Sequence, residues 1–121
     1  MEKEQNKRTT GSKGEQIASE FLTKLGYKII ERNYHYGHGE IDIVAKDGEI
    51  FVFVEVKYRK SLEYGHPETA ITKGKQKQIR KIAEAYIYER EIKDTSCRID
   101  VVAILQLPGQ KPEINHYINA F

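Results

Sequence analysis

The chain has 121 residues, 39% hydrophobic and 31% charged, with a formal net charge of +2. That is enough for one globular domain with a sizeable core. The longest uninterrupted apolar runs, Ile50–Val54 and Val101–Leu105, hold five residues each and are too short to span a bilayer. The opening MEKEQNKRTTGSKG has no apolar centre, so no secretory signal is expected. Cys97 is the only cysteine. It excludes an intramolecular disulfide, suits a reducing cytoplasm, and reads as a small buried apolar side chain rather than a nucleophile.

In chain order, residues 1–11 read as a polar, disordered tail. A first helix is expected from Ser12 to Leu25. Ser12 and Glu15 have capping-box spacing, Ile17, Phe21, Leu22 and Leu25 repeat at helical spacing, and Gly26 stops the run. Lys28–Arg32 reads as a short strand, and NYHYGHG (Asn33–Gly39) as a turn or loop. Two strands follow, Glu40–Ala45 and Ile50–Lys57, joined at the Asp47-Gly48 turn signal. Ser61–Pro67 is a loop. A second helix is expected over Ile71–Glu91, with Ile79, Ile82, Ala83 and Tyr86 facing inward. Arg98–Leu105 and Glu113–Ile118 complete the strands, with a turn at Pro108-Gly109. The order α-β-β-β-α-β-β predicts a single α/β domain, a mixed central sheet flanked by helices.

The central hairpin carries Glu40, Asp42, Glu55 and Lys57 among isoleucines, valines and phenylalanines. Strand alternation puts Phe51, Phe53, Glu55 and Lys57 on one face. A turn centred on Asp47-Gly48 pairs Val44 with Phe51, Asp42 with Phe53 and Glu40 with Glu55. Asp42 is then the diagonal neighbour of Glu55, at roughly 7–8 Å. Two carboxylates converging beside an apolar sheet repel each other, and a divalent cation relieves the repulsion. Oxygen ligands with positions left for water suit Mg²⁺ or Mn²⁺. Lys57, two residues beyond Glu55, can meet a phosphate or hold an attacking water, which is what phosphodiester hydrolysis requires. A plain surface ribbon would instead pair Glu with Lys across the strands, whereas this register sets Glu40 against Glu55.

Eight basic residues lie between Lys57 and Lys81 against only Glu63 and Glu68. A basic surface beside an acidic pocket suits a metal ion and a polyanion used together. Lys73, Lys77 and Arg80 share a helix face at i, i+4 and i+7, and Lys75, Lys81 and Arg59 add to the phosphate-contact candidates. Such contacts give affinity without sequence specificity. A solvated helix face explains the same charges equally well.

Asp42, a spacer of twelve residues, then Glu55-Val56-Lys57 resembles the PD-(D/E)xK motif of the restriction-endonuclease-like superfamily. More closely, the chain resembles the YraN-like family of small bacterial proteins, related to archaeal Holliday junction resolvases. The matching segments are Gly11–Ala18, Gly39–Ala45, Phe53–Arg59, Gly65, the Lys73–Lys77 region and Arg98–Val102, within residues 11–105. Ile41 stands where the superfamily motif has proline. The resemblance implies a restriction-endonuclease-like fold and Mg²⁺-dependent (or Mn²⁺-dependent) cleavage of DNA, including branched DNA. It implies Asp42 and Glu55 as metal ligands, the Val56 carbonyl as a further one, and Lys57 as the catalytic lysine. Glu15 either closes a capping box or reaches the site from the first helix, and the resemblance selects the second, as a catalytic metal ligand. A homodimer would suit cutting two strands of a junction. The alternatives are a non-catalytic DNA-binding module and a protein-interaction domain with a relict site.

Among other residues, His35 and His38 form a His-x-x-His that lacks two further zinc ligands, so they read as polar loop histidines. Tyr34 and Tyr36 are candidates for base stacking. Arg98 and Asp100 share a strand face and can pair in a supporting role.

Overall fold

The computed structural model describes residues 2–63, 65–67 and 71–121, with side chains from Ser12 onward. Tyr64 of the expected Ser61–Pro67 loop, and Glu68, lie outside the described residues. The order is α1 (Glu2–Lys24), β1 (Lys28–Tyr36), β2 (Gly39–Asp47), β3 (Ile50–Arg59), α2 (Lys73–Glu89), β4 (Cys97–Leu105) and β5 (Glu113–Tyr117). This is the α-β-β-β-α-β-β order read from the sequence.

α1 starts well before the expected Ser12, in the stretch read as a polar tail; its Glu, Lys and Gln residues favour helix. Ser12 is internal to the helix and caps nothing. The C-terminus is where the glycine signal put it. Gly26 has φ +96, and Tyr27 N donates to Leu22 O at 3.0 Å. That bond and the one from Gly26 N to Thr23 O satisfy carbonyls the helix would otherwise leave open. α2 is shorter than expected. Thr72 caps it, accepting from Lys75 N at 3.2 Å, and Glu91 at φ +52 turns the chain away.

The five strands lie in the order β1-β2-β3-β4-β5. Only β3 and β4 are parallel, and α2 makes the crossover between them. α1 packs one face through Ala18 and Leu22 against Ile43, Ala45, Val52, Val54, Val102 and Ile104. α2 packs the other through Ile79, Ile82, Ala83 and Tyr86 against Tyr34, Ile41, Val44, Phe53 and Ile99. Burial on both faces explains why β2, β3 and β4 read as apolar runs rather than as alternation.

Three further expectations change. Cys97, read as buried, is exposed at the start of β4. β1 runs on through Tyr36, so the chain expected to loop over Asn33–Gly39 is mostly strand, and only Gly37 and His38 turn it. Tyr34 is therefore not available for base stacking. It is buried, its hydroxyl donates to Glu89 Oε2 at 2.6 Å, and its ring meets Tyr86 edge-on. The β2–β3 register also differs, with Asp47 opposite Ile50 and Val44 opposite Phe53. The tight loop is Gly48-Glu49, with Gly48 taking the positive φ of +61 that a side chain would oppose. The pairing has moved by two residues from the expected one. A shift of two preserves side-chain faces over the regularly paired stretch from Ile43 to Asp47, whereas a shift of one would have inverted the strand.

Candidate active site

Continued by one pair, the new register would set Asp42 level with Glu55 rather than diagonal to it. The regular β2–β3 pairing runs from Asp47↔Ile50 to Ile43↔Val54. Beyond it, Val56 N donates to Asp42 Oδ2 at 2.8 Å, so a side chain takes a bond that a strand backbone would otherwise fill. β2 is irregular here. Ile41 packs against α2 while Ile43, two residues on, packs against α1. On β1, Asn33 has φ +56, between the pairs Tyr34↔Ile41 and Arg32↔Ile43. This break in alternation turns Asp42 toward β3.

Asp42 and Glu55 are both buried, at 8% and 4% exposure. Burial, followed by the charge of Glu55, pushes the Asp42 carboxyl up to about 8, while the Val56 N–H opposes the rise. Lys57 Nζ lies 3.4 Å from Glu55 Oε1. Lys75 Nζ approaches the same oxygen from α2, at 3.7 Å. Glu55 is thus held between two ammonium groups, one from its own strand and one from the helix above.

Glu15 reaches the site from α1. The close approach of α1 to β3 depends on Gly14, where a Cβ would lie 2.7 Å from Tyr58 Cβ. Glu15, Glu40, Asp42, Val56, Lys57, Tyr58 and Arg59 line a cleft of ≈ 290 Å³ at the splayed strand ends. Glu15 Oε1 is buried without a hydrogen bond, 3.7 Å from Arg32 Nη2. Burial raises the Glu15 pKa, and Arg32 works against the rise. Across the hairpin, Gly39 lies under α2, where a Cβ would meet Ile82 Cδ1 at 2.6 Å. That contact seats the N-terminal half of α2, and Lys75 with it, over the acidic pair.

Asp42, Lys57 and Glu15 therefore share one cleft, and Glu55 joins them through Lys57. Among the described residues, no three His, Cys, Asp or Glu side chains form a ready-made metal cage. Lys73, Lys77, Arg80 and Lys81 are exposed on α2 as an outward basic face. Arg59 lies at the cleft mouth, its Nη1 donating to Tyr58 O at 3.1 Å. His35 is exposed, with Nε2 3.5 Å from Glu40 Oε2. The sequence reading missed Arg32 altogether and took Lys75 only as a phosphate contact. Their roles come from cross-element contacts, which leave no trace in spacing.

Arg98 and Asp100 do pair, Nε to Oδ1 at 3.0 Å, within a larger buried network. Asp100 is fully buried and also accepts from Asn119 N at 3.0 Å and meets His116 Nε2 at 2.7 Å. Arg98 further donates to Asp47 Oδ2 at 3.0 Å and to the Tyr27 hydroxyl. This network ties β4 to β5 and to the hairpin, away from the cleft.

The family model described as "Uncharacterised protein family UPF0102" matches residues 14–104. The chain belongs to the UPF0102 family, the family of YraN-like proteins that its motifs resemble. A UPF0102 protein of Trichlorobacter lovleyi is 48% identical over 112 residues, covering 92% of this chain and 88% of the relative. One of Caldicellulosiruptor saccharolyticus is 44% identical over 117 residues, covering 96% and 99%. One of Geobacter sulfurreducens is 46% identical over 111 residues, covering 92% and 87%. The UPF0102 match spans the helix bearing Glu15, the hairpin and α2. Among the described residues, no helix is long and apolar enough to cross a membrane.

Proposed function

We propose that this UPF0102 protein is a metal-dependent nuclease that hydrolyses DNA phosphodiester bonds, with branched or recombining DNA among the candidate substrates. The observation that carries the reading is the pair of buried carboxylates, Asp42 and Glu55, beside the Lys57 ammonium at an open strand end. Buried acids without a charge partner are costly, and burial together with Glu55 raises the Asp42 carboxyl accordingly.

The donor set fits Mg²⁺ or Mn²⁺. Such ions keep several waters and take only one or two carboxylates plus substrate phosphate oxygens, so a three-acid cage is not needed. Asp42, Glu55 and the Val56 carbonyl would hold the ion, with Glu15 near enough on the cleft wall to join or to hold one of its waters. When bound, the ion supplies an acidified water and charge neutralisation at the phosphate. Lys57 donates its ammonium protons to a phosphate oxygen as negative charge develops there. Arg59 and the exposed face of Lys73, Lys77 and Arg80 neutralise neighbouring phosphates and position the strand. Two chains acting as a homodimer would place two such clefts on the two strands of a junction.

The test is a cleavage panel with Mg²⁺ or Mn²⁺ on duplex, single-stranded, flap and four-way DNA. Cleavage that disappears in Asp42→Asn supports the reading. Wild-type chain that binds these DNAs and cuts none of them with any metal would make it a binding module instead.

A further inference from the structure

Lys75 sits where a helix does not favour it. It is in the first turn of α2, which contains no acidic residue, so its charge opposes the positive end of the helix dipole. Its ammonium nonetheless turns inward to a nearly buried oxygen, Glu55 Oε1, at 3.7 Å. Glu55 is 5% exposed in its side chain and cannot leave the sheet, whereas Lys75 is 34% exposed and can swing to solvent. Lys57 already serves the same oxygen at 3.4 Å. Glu55 has therefore one cation from its own strand and a second, removable one from the helix that carries the basic face.

We propose that Lys75 is a counter-ion latch: it neutralises Glu55 while no metal is bound and gives up that place to a divalent cation. The inference rests on the nuclease reading above and adds a role to it. Lys75 is a positioning residue whose departure frees a Glu55 lone pair for the ion. Lys75 lies on the inward side of α2, away from the exposed Lys73, Lys77, Arg80 and Lys81, so the latch answers to the metal rather than to phosphate on that outer face.

The test is calorimetric titration of the full chain with Mn²⁺, on wild type, Lys75→Met, Lys75→Arg and Lys81→Met. Lys81 is exposed on the same helix, so its variant reports the loss of one charge without the latch. A half-exposed ion pair is worth up to about 1 kcal/mol, so Lys75→Met should bind Mn²⁺ roughly three- to fivefold tighter. Lys75→Arg should stay near wild type, and Lys81→Met within about twofold of it by the same arithmetic. In EDTA, Lys75→Met should melt lower than Lys81→Met, because Glu55 has lost a cation, and Mn²⁺ should narrow that gap. Equal tightening in Lys75→Met and Lys81→Met would overturn the latch as a plain charge effect. Unchanged or weaker binding in Lys75→Met overturns it too, and leaves the nuclease reading standing. Failure of every chain, wild type included, to bind Mn²⁺ would instead remove the metal reading and the latch together.

Discussion

Replacing Asp42 by Asn should make the protein more stable at alkaline pH and change little at acidic pH. Asp42 Oδ2 accepts from Val56 N, and an Asn carbonyl can accept the same bond. What the substitution removes is the charge. The Asp42 carboxyl is raised from 3.8 to about 8, first by burial and then by Glu55. A folded-state value above the unfolded one means that the fold holds a proton the unfolded chain releases. Stability from this group is complete below the unfolded value and drains away as pH rises toward 8. At about 1.4 kcal/mol per unit, the loss between about pH 5 and pH 8 has a ceiling near ~4 kcal/mol, and coupling to Glu55 lowers it to about 2–4. For a domain of this size that is roughly 6–15 °C in melting temperature. The assay is thermal unfolding by circular dichroism in EDTA across that range, wild type against Asp42→Asn. The wild-type curve should fall with pH relative to the variant, and Mn²⁺ should restore wild type while leaving the variant unmoved. Parallel curves would refute the reasoning, because the buried acid would then cost the fold nothing.

Lys57→Ala should leave DNA affinity nearly intact while lowering cleavage on the order of 10²-fold or more, as a lost transition-state contact does; gel-shift and single-turnover assays separate the two effects. Lys77→Ala and Arg80→Ala should each reduce the slope of log K against log salt by about 0.9 on duplex DNA, read from fluorescence anisotropy at several salt concentrations. Asp100→Ala should destabilise by about 3 kcal/mol, since it removes a fully buried carboxylate and leaves the half-buried Arg98 with only Asp47 as a carboxylate partner. Urea unfolding measures that loss, and a change under about 1 kcal/mol would mean that the network adds little to stability.

The fold was legible wherever one local rule acted alone. Helical spacing in Ile79, Ile82 and Tyr86 gave the inward face of α2, and Gly26 gave the end of α1. Apolar runs gave β2, β3 and β4, because strands buried on both faces need no polar alternation. The misreadings fall where tertiary contacts override local signals. Asn33 and the Gly37–Gly39 segment look like a loop, yet Tyr34 extends β1 because its ring fills the core under Tyr86 and its hydroxyl reaches Glu89. The Asp47-Gly48 pair marks a turn correctly but does not say which of its residues begins the loop, so the register came out two residues away.

That error left the site intact for a physical reason. Side-chain faces repeat every two residues, which holds as far as Ile43↔Val54; beyond it alternation breaks, and the bond from Val56 N to Asp42 keeps Asp42 against β3 beside Glu55. Asp42, Glu55 and Lys57 were legible because they lie on one hairpin, where spacing along adjacent strands fixes proximity. The opposing cations were not. Arg32 meets Glu15 only because β1 lies under α1, and Lys75 meets Glu55 only because Gly39 lets α2 settle onto β2. These contacts set the chemistry as much as the acids do. They set cations beside Glu15 and Glu55, and they leave Asp42 as the acid with a backbone N–H but no direct ion pair among the described residues. Asp42 is also the acid whose carboxyl burial pushes furthest. Glu15 and Glu55 have arginine or lysine beside them, Glu40 has only His35, and Asp42 has no such partner among the described residues, so Asp42 is where the proposed divalent cation would add the charge that the side chains do not.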